Sequence, residues 1–143
     1  MPGPDPKPYV LFPGTARDAL QHYREVFGGE LELHTYADFD RSDGPADAIA
    51  HATLRGPVFL HAADAGPDED GFSSTGLFFA LLGTAAPEVL RAWFDALADG
   101  GRALDPLAER GWGAWDGQVR DRFGLTWLIG WEPEAAKADP KAD

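Results

Sequence analysis

The chain has no cysteine among its 143 residues. That excludes disulfides, thiolate metal sites and cysteine nucleophiles. No apolar run approaches the ~20 residues that a helix needs to span a bilayer, so no membrane partner is expected. Met1 to Pro8 is rich in proline and carries no apolar signal core, and the chain therefore reads as cytoplasmic. Positive charge is scarce: 12 Lys and Arg stand against 24 Asp and Glu, a formal net charge of -12. Such a surface repels phosphate backbones, which argues against a nucleic-acid partner. The acidity either serves solubility alone or, where it lines a cleft, favours a cationic ligand. No G-x-S-x-G motif is present, and Ser73-Ser74 has no evident base beside it in the sequence.

What is present is a pattern stated twice. Pro8-Tyr9-Val10-Leu11-Phe12 leads into a helix-like stretch closed by Gly28-Gly29 and then a strand-like run. Leu77-Phe78-Phe79-Ala80-Leu81-Leu82 leads into a second one closed by Gly100-Gly101, and the two glycine pairs lie 72 residues apart. A repeat of half the chain predicts two copies of one small module, and two facing curved sheets would leave a cleft for a ligand.

In the first copy, Thr15 is placed to cap a helix, with Asp18 as an imperfect capping box. Ala16, Ala19, Leu20, Tyr23, Val26 and Phe27 share one helical face, and His22 falls off it toward solvent. Leu31, Leu33 and Thr35 alternate with Glu32, His34 and Tyr36, which predicts a strand with one polar, exposed face. Residues 38–45 read as a polar loop. Ala50, Ala52 and Leu54 then alternate with His51, Thr53 and Arg55, and Val58 to Ala63 follows the Gly56-Pro57 turn. In the second copy, Val89, Leu90, Trp93, Phe94 and Leu97 form the buried stripe of a helix entered through Thr84 and Pro87. Three further strands fall at 102–109, 112–121 and 125–131. The divisions expected are a flexible arm at 1–7, a first module at 8–64, an acidic mobile linker at 65–75, a second module at 76–132 and a disordered tail at 133–143.

This βαβββ order, written twice, resembles the vicinal oxygen chelate superfamily of glyoxalases, bleomycin-resistance proteins and extradiol dioxygenases, and within it the PhnB-like branch. The likeness is carried by Pro8 to Phe12, Ala16, Ala19, Tyr23 and Val26-Phe27-Gly28-Gly29-Glu30. It continues through His51-Ala52, Trp112-Gly113, Gly117, Asp121, Phe123-Gly124 and Trp127. It implies an α+β fold of two βαβββ modules whose curved mixed sheet surrounds a cleft, and a homodimer. In metal-using members four ligands come from the first and last strands of each module. Those positions fall here near Pro8, His61, Leu77 and Leu128, and only His61 carries a donor, so no metal site of that kind is expected. Some branch members bear a demethylubiquinone methyltransferase label. This sequence has no glycine-rich loop after a strand to cradle a nucleotide-like cofactor, and no cofactor is expected.

The candidate ligand-binding residues are His61, His51, Tyr36, Trp112 and Trp115. His61 lies mid-strand on the face assigned to the cleft, where it serves as an acid–base group or simply as a histidine bonded to its neighbours. His51 shares a face with Thr53 and Arg55. Trp112 and Trp115 follow Glu109-Arg110-Gly111 and suit a planar or cationic ligand, or else pack a core. Trp127 is expected to turn toward the helix, and Asp121 to accept hydrogen bonds in a turn. The leading expectation is metal-independent binding of a small organic molecule, a cationic aromatic one suiting the charge. The alternative is a lyase, isomerase or hydrolase using His51 or His61 as acid–base, or a non-standard metal site of His34, His51 and His61.

Overall fold

The computed structural model describes residues 6–133. The chain is α+β and divides into two compact units at Ser73/Ser74. The expected arm and tail fall largely outside the described residues.

The first unit runs β1 (Tyr9–Phe12), α1 (Ala16–Phe27), β2 (Glu30–Thr35), a 3-10 turn (Ala37–Phe39), β3 (Ile49–Arg55) and β4 (Leu60–Asp64). Its sheet has the order β1-β4-β3-β2, with β1 parallel to β4 and the other pairs antiparallel. The second unit repeats the plan with β5 (Phe79–Leu82), α2 (Pro87–Ala98), β6 (Arg102–Glu109), β7 (Trp115–Arg120) and β8 (Thr126–Trp131), in the order β5-β8-β7-β6.

Each helix lies on one face of its own sheet because its apolar residues recur at helical spacing. Ala16, Ala19, Leu20, Tyr23 and Phe27 are buried on α1, against Ala52, Leu54, Leu60 and Ala62 of the sheet. On α2 the buried stripe is Leu90, Trp93, Phe94 and Leu97, against Val119, Trp127 and Ile129, while Val89 is exposed. Trp127 turns into the core as expected, and its indole N–H donates to Asp121 at 2.8 Å.

The two glycine pairs do more than end helices. Gly28 takes a φ of 84° and its N–H caps the Arg24 carbonyl at 2.7 Å. The second member of each pair sits against backbone: a Cβ on Gly29 would strike the Arg55 carbonyl, and one on Gly101 the Arg120 carbonyl.

Several local expectations are corrected. Thr15 makes no side-chain cap bond; Asp64, from the end of β4, accepts the Ala16 N–H at 2.9 Å and the Ile49 N–H at 2.8 Å instead. The β2–β3 register shifts between His34 and Thr35, so Ile49 rather than Ala50 takes the core position. That shift ends β2 before Tyr36, which enters the 3-10 turn and is 2% exposed instead of lying on a polar strand face. His22 is half-buried beside Tyr23 rather than free in solvent. Beyond β4 the Ala65 N–H donates to the Phe12 carbonyl, continuing the β1–β4 ladder, and the Phe72 N–H donates to the Leu11 carbonyl on the outer edge of β1.

Candidate functional site

Strand alternation sends one set of side chains of the first sheet away from α1. Parallel pairing sets Tyr9 beside His61, and antiparallel pairing sets Thr53 beside His61 and His34 beside His51. Residues at matched register project from the same face, so Tyr9, His61, Thr53, His51 and His34 gather there.

Four of them are joined by hydrogen bonds. The Tyr9 hydroxyl lies 3.0 Å from His51 Nδ1, Thr53 Oγ1 lies 3.3 Å from His51 Nε2, and the same Thr53 oxygen lies 3.0 Å from His61 Nδ1. Both nitrogens of His51 are thereby engaged, while His61 Nε2 has no hydrogen-bond partner among the described residues. Phe59 meets the His61 ring edge-on at 4.9 Å, and His34 stacks on Phe39 at 5.7 Å. Thr53 is 1% exposed, whereas Tyr9 is 49% exposed.

The electrostatics of the row have named sources. Burial, followed by the nearby charges of His51 and Arg55, pushes the His61 pKa below its ordinary value. Burial and then the Glu69 carboxylate push the Tyr9 phenol up, so it holds its proton. At the far side Glu32 is shared between Arg55 at 3.3 Å and His34 at 3.5 Å, and its pKa is lowered chiefly by the Arg55 hydrogen bond. The three histidines stand in a row, with ring centroids 6.4 Å apart from His34 to His51 and 5.4 Å from His51 to His61. Among the described residues no three His, Asp or Glu side chains are gathered into a group that could hold a metal ion.

The second unit carries a different feature. A cavity of about 430 Å³ is lined by Leu82, Trp112, Trp115, Asp116, Leu128 and Trp131, with Gly83, Ala114 and Glu132 completing it. Trp115 and Trp131 are register partners on adjacent strands, and their rings stack at 5.6 Å and 13°. The Arg91 guanidinium of α2 lies 5.0 Å from the Trp115 ring and 5.7 Å from that of Trp131. Trp112, at 69% exposure, stands free on the loop before β7. Arg110 is held by Asp116 at 2.6 Å and Asp105 at 3.2 Å, and it fixes that loop to the strands.

The sequence-predicted residues thus fall in three places. His51 and His61 are together on the first sheet, and Trp112 and Trp115 are together in the second unit. Tyr36 lies elsewhere: it lines a separate cavity of about 470 Å³ with Arg17, Asp18, Asp47 and Asp64, and Arg41 covers its ring at 3.8 Å. Sequence reasoning set Thr53 on the His51 face but gave it no role, and it passed over Tyr9. Trp131 was legible as one of the clustered tryptophans; its pairing with Trp115 was not.

Two βαβββ units, each with its first strand parallel to its last, define a class. The chain belongs to the Glyoxalase/Bleomycin resistance protein/Dioxygenase superfamily, whose family model matches residues 7–129. Among curated proteins it is similar to protein YjdN of Escherichia coli strain K12, 31% identical over 136 residues, covering 85% of this chain and 91% of that one. Among solved structures it is similar to protein PA1353 of Pseudomonas aeruginosa, at a TM-score of 0.76 and 31% identity over 92% of this chain and all of that one. The PhnB protein of Bacillus cereus shares the fold at a TM-score of 0.74 and 18% identity, over 89% of this chain and 98% of that one. Among the described residues no helix is long and apolar enough to cross a membrane.

Proposed function

We propose that this chain binds a small organic molecule, a compact cation with a flat ring, in the aromatic pocket of its second unit. One observation carries the reading: the stacked Trp115–Trp131 pair lines a pocket of about 430 Å³, within the roughly 300–1,000 Å³ usual for small-molecule sites. The Arg91 guanidinium, a planar cation, lies 5.0 and 5.7 Å from these two rings, within the range of a cation–π contact. The lining holds Asp116 and Glu132 and no Lys or Arg. Asp116 is engaged by Arg110, whereas Glu132 makes no ion pair among the described residues, and its carboxylate would answer a ligand cation. Trp112, exposed at the mouth, can fold over a bound ring.

The test is a tryptophan-fluorescence titration with 1-methylquinolinium and, in parallel, its neutral isostere 1-methylnaphthalene. The cation is expected to quench saturably and bind more tightly than the neutral ring, with a preference that shrinks as salt rises. W112A and W131A are each expected to weaken binding by on the order of tenfold, the scale of one cation–π or stacking contact. Equal binding of both probes, unchanged by salt or by either substitution, would defeat the reading.

A further inference from the structure

We infer, resting on the reading of the tryptophan pocket as a cation site, that Arg110 sets the charge class of its ligand. Arg110 cancels Asp116 and leaves Glu132 to answer one positive charge, so the pocket favours singly charged ring cations over doubly charged ones.

The cavity wall holds two carboxylates, Asp116 and Glu132, and no Lys or Arg. Two free carboxylates would suit a dication, but Asp116 is not free. Arg110 Nε donates to Asp116 Oδ1 at 2.6 Å, and Arg110 Nη2 donates to the Asp116 carbonyl at 2.8 Å. One guanidinium thus holds both the side chain and the backbone of that residue, at the short length of a charge-assisted bond. The same Nη2 reaches Asp105 at 3.2 Å, and Asp105 does not line the cavity. Glu132 remains the one lining carboxylate without an ion pair among the described residues.

The local fold fixes this arrangement. Arg110 directly follows β6, and Asp116 is the second residue of β7. The hairpin between them is closed by the Arg110 N–H on the Ala114 carbonyl at 2.7 Å and the Gly113 N–H on the Arg110 carbonyl at 3.0 Å. Asp116 pairs in register with Gly130 of β8, and Gly130 with Leu82 of β5. A Cβ on Gly130 would stand 2.8 Å from the Asp116 Cβ, so glycine there lets Asp116 keep its place. The side chains of Arg110 and Asp116 are 24% and 35% exposed, and their pair is screened less than one in open solvent. The other charge near the rings is Arg91, an exposed cation 5.0 Å from Trp115 and 5.7 Å from Trp131, which adds to the cost of a second positive charge.

A monocation on the tryptophans is answered by Glu132. A dication brings a second charge out of water with no unpaired lining carboxylate to receive it, and that desolvation goes uncompensated. Removing the Arg110 charge releases Asp116 to receive it.

The experiment is isothermal titration calorimetry of the full chain at about 0.15 M salt, where distant charges are screened. Two probes of one shape are compared: the monocation 1-methyl-4-(4-methylphenyl)pyridinium and the dication 1,1′-dimethyl-4,4′-bipyridinium. The readout is the ratio of their Kd values, because a general loss of fit weakens both and leaves the ratio in place. Wild type is expected to favour the monocation. R110Q is expected to move the ratio roughly fivefold toward the dication, the scale of one partly exposed ion pair. R110Q/D116N, which has no carboxylate to unmask, is expected to return the ratio to the wild-type value. R102Q removes the same charge from the opposite end of β6 and is expected to leave the ratio within about twofold. E132Q changes an exposed side chain and gives a second measurement should R110Q fold poorly: it is expected to abolish the preference for 1-methylquinolinium over 1-methylnaphthalene. Wild type binding neither cation defeats the pocket reading and the role of Arg110 together. Wild type binding the monocation while R110Q leaves the ratio unmoved, or R110Q/D116N shifting it as far as R110Q, overturns the role of Arg110 alone. So does wild type favouring the dication, or E132Q keeping its preference for the cation.

Discussion

Asp121 shows how much one residue can organise. It is 3% exposed and accepts the Phe123 and Leu125 N–H groups at 2.8 and 3.1 Å, together with the Trp127 indole. Removing it would take the acceptor from two buried donors and one part-buried one, so D121A is expected to lose about 3 kcal/mol in denaturant unfolding. D121N, which keeps one acceptor oxygen, is expected to lose less. His61 sets a pH dependence of known sign. Its folded pKa is depressed, first by burial, so the unfolded chain binds that proton more tightly. Lowering the pH through the ordinary histidine range of ~6.5 therefore costs stability, which returns above it. Melting temperatures of wild type and H61Q measured across pH 5 to 8 check this, the roughly ordinary range of histidine titration; the variant is expected to be less sensitive to acid. At this scale His51 and His61 were legible, because alternation fixes their shared face. Tyr9 was not, since its place beside His61 depends on the parallel register of two strands separated by a helix and two further strands.

At the scale of elements, the helices were readable because apolar spacing and the glycine pairs bound them closely. Their caps were not. The acceptor for the α1 N-terminus is Asp64, 48 residues away in sequence from Ala16, while the adjacent Thr15 contributes no cap bond. T15A is accordingly expected to change stability by no more than about 0.5 kcal/mol, and D64A to cost about 2 kcal/mol, in urea unfolding. The same reasoning separates the glycines. Gly29 and Gly101 meet a carbonyl where a Cβ would stand, so G29A and G101A are each expected to cost at least ~1 kcal/mol. The bulge between His34 and Thr35 misled the pattern by one position, moving Tyr36 from a polar strand face into a buried turn. A period-2 reading has no means of locating such an insertion, because either neighbour is consistent with the residues on each side.

At the scale of the whole molecule, the repeat supplied the architecture, and its two copies carry different side chains. The first copy carries histidines, tyrosine and threonine on the sheet face turned away from α1, and the second carries a tryptophan-lined cavity. With a formal net charge of -12, the chain is expected to draw cationic ligands faster at low salt than neutral ones, which stopped-flow quenching at two ionic strengths would measure. The five tryptophans make the central claim directly observable, because each indole N–H gives its own signal in a proton–nitrogen NMR spectrum once assigned by single substitutions. The decisive measurement is that spectrum during titration with 1-methylquinolinium. Saturable shifts confined to Trp112, Trp115 and Trp131, with Trp93 and Trp127 still, are the predicted result. No shifts at those three, or shifts that never saturate, would contradict the account.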